Sequence, residues 1–286
     1  MDDMARIRLV VHPTRDIEEP IGATREWAAA GGSEVVQVAV GGQGRRVADL
    51  ASAADCDLIL AIGGDGTTLA AIRAGAIADR PVLGVACGSL GVLTTVPATD
   101  IGRSLGRFLA GDWTARPLPA LDVERDGRDR LLAFNDIAVV RQGSGQVRAA
   151  AEADGVLFCR LAGDGCIVST PAGSSAYTIS AGGPLLAPGM AGFVLTPLPA
   201  HGASCPPLVL GPSSRLRLLA LEGHAGARLE VDGQLADGDV RAVEVSYRER
   251  AVMMVRFADE EHALTGLRRR RVISDSARIL ADDDRI

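Results

Sequence analysis

Asp57-Leu58-Ile59-Leu60-Ala61-Ile62 runs without a break into Gly63-Gly64-Asp65-Gly66-Thr67-Thr68, and this junction decides the fold. The first six residues are apolar at nearly every position, the pattern of a strand covered on both faces in a parallel sheet. The glycines let the backbone turn sharply, and Thr67 to Ala76 continues with helical character. Working outward, Arg6 to His12 reads as a first strand. A helix follows around Pro20, where an early-helix proline is tolerated, and stops at Gly31-Gly32. Glu34 to Val40 is a second strand, Val47 to Ala54 a helix, Pro81 to Val85 a further strand and Asp100 to Ala110 a closing helix. Strand and helix alternate, so an α/β N-terminal domain with a doubly wound parallel sheet is expected.

The pattern changes near Gly111. Beyond it short alternating stretches, such as Leu121 to Arg125, Arg228 to Val231 and Val240 to Tyr247, are separated by Asp126-Gly127, Asp232-Gly233 and other turn pairs. Turn signals at that density predict a mainly antiparallel all-β C-terminal domain. The expected division is residues 1–115, 116–258 and a charged tail 259–286, for which packing back on the N-terminal domain is one option. The Arg268 to Arg271 run in that tail reads as a solvated face, with phosphate contact as the alternative.

Composition removes whole classes of function. All 30 Lys+Arg residues are arginine, so a Walker A loop, a Schiff-base lysine and a protein-kinase lysine are absent. A net charge of -6 argues against a general nucleic-acid binder. The five cysteines are odd in number and form no Cys-x-x-Cys pair, which argues against a zinc ribbon or disulfide framework and for buried thiols. No stretch reaches the ~18 apolar residues of a membrane span, and Met1 to Leu9 lacks a signal-peptide core; the expected location is the cytoplasm, with no membrane partner.

Candidate chemistry begins at the first turn. Gly63, Gly64, Gly66 and Thr67 offer backbone amides and a helix N-terminus to a phosphate. Asp65 at its centre is a poor phosphate holder, so it either accepts a hydroxyl proton or holds a cation bridging phosphates; the bland alternative is a helix N-cap. A second glycine-rich turn, Gly84 to Gly91, follows the next strand. Two such turns at one sheet edge suggest a nucleotide or polyphosphate. The β half adds Phe134-Asn135-Asp136, Gly163-Asp164-Gly165, then Ser169-Thr170-Pro171-Ala172-Gly173-Ser174-Ser175-Ala176-Tyr177 and Ser180-Ala181-Gly182-Gly183-Pro184. Asn135 and Asp136 suit a pair of ribose hydroxyls, and Tyr177 a stacked base. Taken singly, each could be a turn whose hydroxyls satisfy its own backbone.

Taken in this order, these motifs resemble the NAD kinase family, from about Asp57 to Gln234. The first turn is shared with the wider superfamily of lipid and 6-phosphofructo kinases; the Ser169 to Tyr177 run is more specific. The resemblance implies phosphorylation of the adenosine ribose 2'-hydroxyl of NAD(H), with ATP or polyphosphate as donor and Mg²⁺, in a homodimer or homotetramer with the dinucleotide between domains. It implies Asp65 as proton acceptor, with Asp65 and Gly66 touching the ligand and Asn135 and Asp136 on the ribose. Ser175, Ala176, Tyr177, Thr178, Ile179 and Ser180 would line the adenine site. Asp164 would meet the nicotinamide side from a neighbouring subunit. Arg148, Gln234 and His201 match further family positions. The chain reads Ala86-Cys87 where the family carries an asparagine, which removes a polar contact beside the phosphates. Alternatives are a superfamily kinase acting on another hydroxyl, such as a lipid, or a non-catalytic dinucleotide-binding regulator.

Overall fold

The computed structural model describes residues 4–40, 45–128, 130–202, 204–221, 226–277 and 279. The chain forms two compact units, Met1–Arg116 with Val252–Ile286, and Pro117–Ala251.

In the first unit β1 (Arg6–Val11), α1 (Glu18–Gly31), β2 (Glu34–Val38), β3 (Leu50–Ala51), β4 (Leu58–Gly63), α2 (Asp65–Ala78), β5 (Val82–Ala86), β6 (Val96–Pro97) and α3 (Ile101–Leu109) succeed one another. The sheet order β5-β4-β1-β2-β3 is parallel throughout. Alternate residues divide the faces. Ile7, Leu9, Val11, Leu58, Leu60, Ile62, Leu83 and Val85 pack with Ile17 at the start of α1, Ile21 within it, and Ile101 and Leu105 of α3. The six residues of β4 are all buried, as the unbroken apolar run requires of a strand covered on both faces.

The helix expected over Val47–Ala54 is instead β3 with flanking loop. The buried Gln37 explains the difference. Its side-chain Nε2 donates to Arg45 O (2.7 Å), its Oε1 accepts from Val47 N–H (2.8 Å), and its backbone N–H donates to Asp49 O (2.7 Å). Gln37 therefore holds 45–49 as a bent, non-helical segment beside β2, at the expense of local helix propensity.

The second unit carries β7 (Thr114–Arg125), β8 (Arg130–Ala133), β9 (Asp136–Arg141), β10 (Val147–Ala153), β11 (Val156–Gly163), β12 (Gly165–Ser169), the short helix α4 (Tyr177–Ser180), β13 (Phe193–Pro197), β14 (Leu208–Leu210), β15 (Arg215–Ala220), β16 (Ala227–Val231), β17 (Gln234–Asp237) and β18 (Ala242–Arg256). One antiparallel sheet runs β14-β13-β12-β9-β16-β17. Another pairs β11, β10, β15 and β18. Their inward residues, among them Ile137, Val139, Val168, Leu195, Leu218 and Val243, share one core. The second division falls inside β18, ahead of the expected residue 258, because Met254 pairs in parallel with Val82 of β5. Beyond it α5 (Ala263–Arg269) belongs to the first unit.

Candidate active site

Strand order places the first cluster. The chain leaves β1 for β2 and β3 on one side, then returns to β4 on the other. The carboxyl ends of β1 and β4 therefore flank the switch point where open α/β sheets take ligands. At the end of β4, α2 begins with Asp65 as its first residue. Gly64 is the N-cap, and no side chain closes the cap, so the N-cap role once open to Asp65 is filled by glycine. The first-turn amides of 64–67 lack intrahelical acceptors by geometry. Gly63 is required because a β-carbon there would lie 2.4 Å from Thr67 Oγ1; Thr67 itself is buried. The second turn lies alongside, with Cys87 N–H donating to Gly63 O (2.7 Å).

The residues just after that second turn grip Asp65. Val92 N–H donates to its Oδ2 (2.9 Å), Leu93 and Thr94 N–H donate to its Oδ1 (3.0 and 3.2 Å), and Thr94 Oγ1 reaches Oδ1 at 3.4 Å. Thr94 Oγ1 also accepts from Gly91 N–H (2.7 Å). Oδ1 is saturated. Oδ2 takes a single donor among the described residues, and a carboxylate oxygen has two lone pairs, so Oδ2 is the atom able to accept another hydrogen bond.

The C-terminal arginines reach the same place. Arg269 donates to Leu90 O (3.1 Å) and pairs with Glu261 (3.0 Å). Arg270 is held below the ordinary guanidinium range by burial, against the opposing pull of the Asp65 charge. Arg268 pairs with Asp275. The run stays mostly exposed, but Arg269 reaches the Leu90 carbonyl and the half-buried Arg270 feels the Asp65 charge. The only sequence signal for this was the charge run itself, far from Asp65 along the chain.

The second unit gathers a separate cluster, organised by Asp232 in the β16–β17 turn. Its carboxylate accepts from Asn135 N–H (2.7 Å), Phe134 N–H (3.2 Å) and Asp136 N–H (3.3 Å). Thr170 holds the other side: its N–H and Oγ1 donate to Asn135 O (2.9 Å) and Phe134 O (2.7 Å). Gly173 packs so closely that a β-carbon would sit 2.0 Å from Asn135 O. Asp136 is buried, and its carboxyl pKa is pushed up to about 6 by that burial and by the like charges of Asp232 and Glu230. The hydroxyl-rich run divides by role. Ser169, Thr170, Ser174 and Thr178 are buried and bonded internally. Ala176, Ser180 and Tyr177 face outward, Tyr177 being 44% exposed; Ser175 and Ile179 are half-buried. Gln234 is exposed in the Asp232 turn.

Asp164 and Arg148 lie elsewhere. Asp164 precedes β12 at the end remote from Ser169, on the order of 15 Å along the strand, and pairs with Arg141 (2.7 Å). Arg148 is exposed on β10, opposite Ala162. His201 is exposed near the same edge, its N–H donating to Ala162 O (2.9 Å). Asp232, the residue that fixes Asn135 and Asp136, was legible only as a turn former in Asp232-Gly233.

A family model described as the ATP-NAD kinase N-terminal domain matches residues 15–113, and one described as the ATP-NAD kinase C-terminal domain matches 135–256. The chain belongs to the ATP-NAD kinase family. It is 33% identical to an NAD kinase of Koribacter versatilis, over 82% of this chain and 88% of that one. It is 37% identical to an NAD kinase of Heliobacterium modesticaldum over 62% of this chain and 65% of the relative, and 44% identical to one of Ralstonia nicotianae over 54% and 53%. The chain thus spans just under two thirds of the Heliobacterium relative and about half of the Ralstonia one. An Archaeoglobus fulgidus NAD kinase solved in complex with ATP is similar with a TM-score of 0.73 at 25% identity, over 94% of this chain and 100% of that one. Yeast NADH kinase, solved with NADH, shares the fold with a TM-score of 0.77 at 20% identity, over 96% and 89%. The parallel first sheet and antiparallel second unit are those the family's structures carry.

Proposed function

We propose that the chain is an NAD kinase that moves the terminal phosphoryl group of ATP onto the adenosine ribose 2'-hydroxyl of NAD or NADH. The observation that carries this reading is Asp65, whose Oδ1 is fixed by backbone amides while Oδ2 keeps a lone pair, at the switch-point end of β4. Oδ2 accepts the hydroxyl proton as the new O–P bond forms. The amides at the start of α2 and the neighbouring arginines meet the donor's phosphates, so a lysine is not needed. Phosphoryl transfer depends mainly on positioning and charge stabilisation. Asn135 and the Asp136 carboxylate hold the ribose hydroxyls, Tyr177 covers the adenine, and Gln234 lies beside that pair through the Asp232 turn.

Among the described residues no three His, Cys, Asp or Glu side chains converge as a metal-binding set. Mg²⁺ is usually held by one or two carboxylates together with substrate phosphates, and the divalent cation is assigned to ATP as the substrate complex. Asp164 lies on the order of 15 Å from Ser169 along β12, which supports the idea that it serves a neighbouring copy, in a homodimer or homotetramer. No helix among the described residues is long and apolar enough to cross a membrane, and we place the enzyme in the cytoplasm.

The saturation of Asp65 Oδ1 favours one second reading, a dinucleotide-binding protein without turnover. One experiment separates the two: purified protein is incubated with ATP, Mg²⁺ and either NAD or NADH, with inorganic polyphosphate as a second donor arm. Formation of NADP or NADPH is expected. Calorimetric binding of NAD with no phosphorylated product selects the second reading.

A further inference from the structure

Arg15 occupies a place that neither the motifs nor the matched family roles assign. It follows β1 in the turn His12-Pro13-Thr14-Arg15, so it lies at the carboxyl end of one of the two switch-point strands, while Gly63–Gly66 follows the other. The turn is fixed from within: His12 Nδ1 accepts from the N–H groups of Thr14 (3.2 Å) and Arg15 (3.0 Å). Burial and the Arg15 charge keep the His12 imidazole below its ordinary basicity, which suits an acceptor nitrogen. The Arg15 side chain then spans both glycine turns. Its Nη1 donates to Cys87 O (3.0 Å). A β-carbon on Gly64 would lie 3.5 Å from Nη1, and one on Gly88 3.7 Å from it. Arg15 is exposed, and among the described residues no carboxylate pairs with it. Arg45, whose Nη1 donates to the Arg15 carbonyl, is committed to Glu18, and Arg269, on the Leu90 carbonyl, is committed to Glu261. An unneutralised guanidinium over two bare glycines, next to the open amides of a helix start, presents a planar fork of donors of the kind that receives phosphate oxygens.

We infer that Arg15 binds the phosphates of the nucleoside triphosphate donor, as the cation that a chain without lysine places across its two glycine turns. The identity of the ligand rests on the kinase reading above; the position of the cation does not. In steady-state assays Arg15→Ala is expected to raise KM for ATP about 10- to 100-fold, the loss of one charge-assisted contact, while KM for NAD stays within about twofold and Arg15→Lys recovers part of the loss. A purely structural role for the Cys87 contact would instead lower the melting temperature and shift both KM values together, with no recovery in the lysine variant; that result overturns the inference, as does an unchanged KM for ATP. Where Arg15→Ala fails to fold, Arg15→Gln carries the same comparison. If the wild-type protein forms no NADP, the kinase reading fails, and calorimetric titration with MgATP still decides about Arg15: weaker binding to Arg15→Gln by the same factor supports the inference. Equal binding, or none to the wild type, sinks it.

Discussion

Replacing Gly91 by alanine should expel Asp65 from its seat. A β-carbon at Gly91 would lie 1.9 Å from Oδ1, 2.4 Å from Cγ and 2.5 Å from Oδ2 of Asp65. Nothing in the backbone forbids alanine, because Gly91 is outside the left-handed region. The nearest obstruction is therefore the carboxylate, which must retreat by more than an ångström and abandon the amides of Val92, Leu93 and Thr94. Hydrogen bonds to a charged group are worth about 1.5–3 kcal/mol each. Asp65 is only half-buried, so water recovers much of that, and we expect a net loss of about 2–3 kcal/mol. Both tryptophans, Trp27 and Trp113, lie in the first unit, so urea unfolding followed by tryptophan fluorescence reads the unit that carries the change. Asp65→Ala should be destabilised comparably, since it leaves the same amides without their acceptor. The double variant should cost little more than Asp65→Ala alone, a coupling of about 2 kcal/mol against the ~0.5 kcal/mol scatter of independent sites. Additive losses would refute the reasoning, because they would mean that the Gly91 methyl is resisted by something other than Asp65.

Three further outcomes follow from the two clusters. Asp65→Asn should lower NADP formation about 10²- to 10⁴-fold, the range for losing a general base, with NAD binding by calorimetry largely kept; unchanged turnover would remove Asp65 from proton transfer. Asp136→Asn should stabilise the protein at pH 7.5 by up to about 3 kcal/mol while weakening NAD binding. The folded-state pKa of Asp136 is raised from 3.8 to about 6, so the native state holds a proton that the unfolded chain has lost between those values. Wild-type stability then falls as pH rises across that window, and the advantage of the asparagine variant should vanish below about pH 4; a difference independent of pH in chemical denaturation would contradict the burial argument. Gly173→Ala should cost about 2–4 kcal/mol in thermal unfolding, because the obstructing atoms are backbone of Asn135 at 2.0–2.7 Å and cannot rotate aside; a melting temperature equal to wild type would show that the contact between the 170–173 turn and Asn135 is loose.

What the sequence made legible was whatever the residue types themselves encode. The β4 run could be nothing but a doubly covered strand, and Gly63-Gly64-Asp65-Gly66 had to be a turn opening a helix. The side-chain chemistry of Asn135-Asp136 and of Tyr177 was likewise visible, but not that Tyr177 faces outward. What stayed hidden was carried by groups without a residue signature. The partners of Asp65 are the amides of Val92, Leu93 and Thr94, and any residue but proline supplies an amide. The Val47–Ala54 segment has helical composition, yet the side chain of Gln37, from the preceding strand, decides its conformation. Arg269 meets Leu90 across 179 residues of chain, a contact that only the β18 return through the first unit brings about.

The two carboxylates at the centre of the proposal solve opposite problems. The charge of Asp65 is met by backbone dipoles, so the bonds that stabilise the fold are the same bonds that aim Oδ2. The charge of Asp136 is met by burial and by Asp232 and Glu230, so its ionised form is a cost carried by the folded protein. Ribose hydroxyls that donate to Asp136 would relieve that cost, and part of the affinity for the sugar is then already stored in the ligand-free state. Under the proposed roles, stability and function coincide at Asp65 and oppose each other at Asp136. A change at the first should damage both together, whereas a neutral isostere at the second should gain stability in proportion to the binding it gives up. That contrast distinguishes a site shaped for a diol from a pair of acids merely tolerated in a β-turn, because a tolerated pair would have no binding to lose.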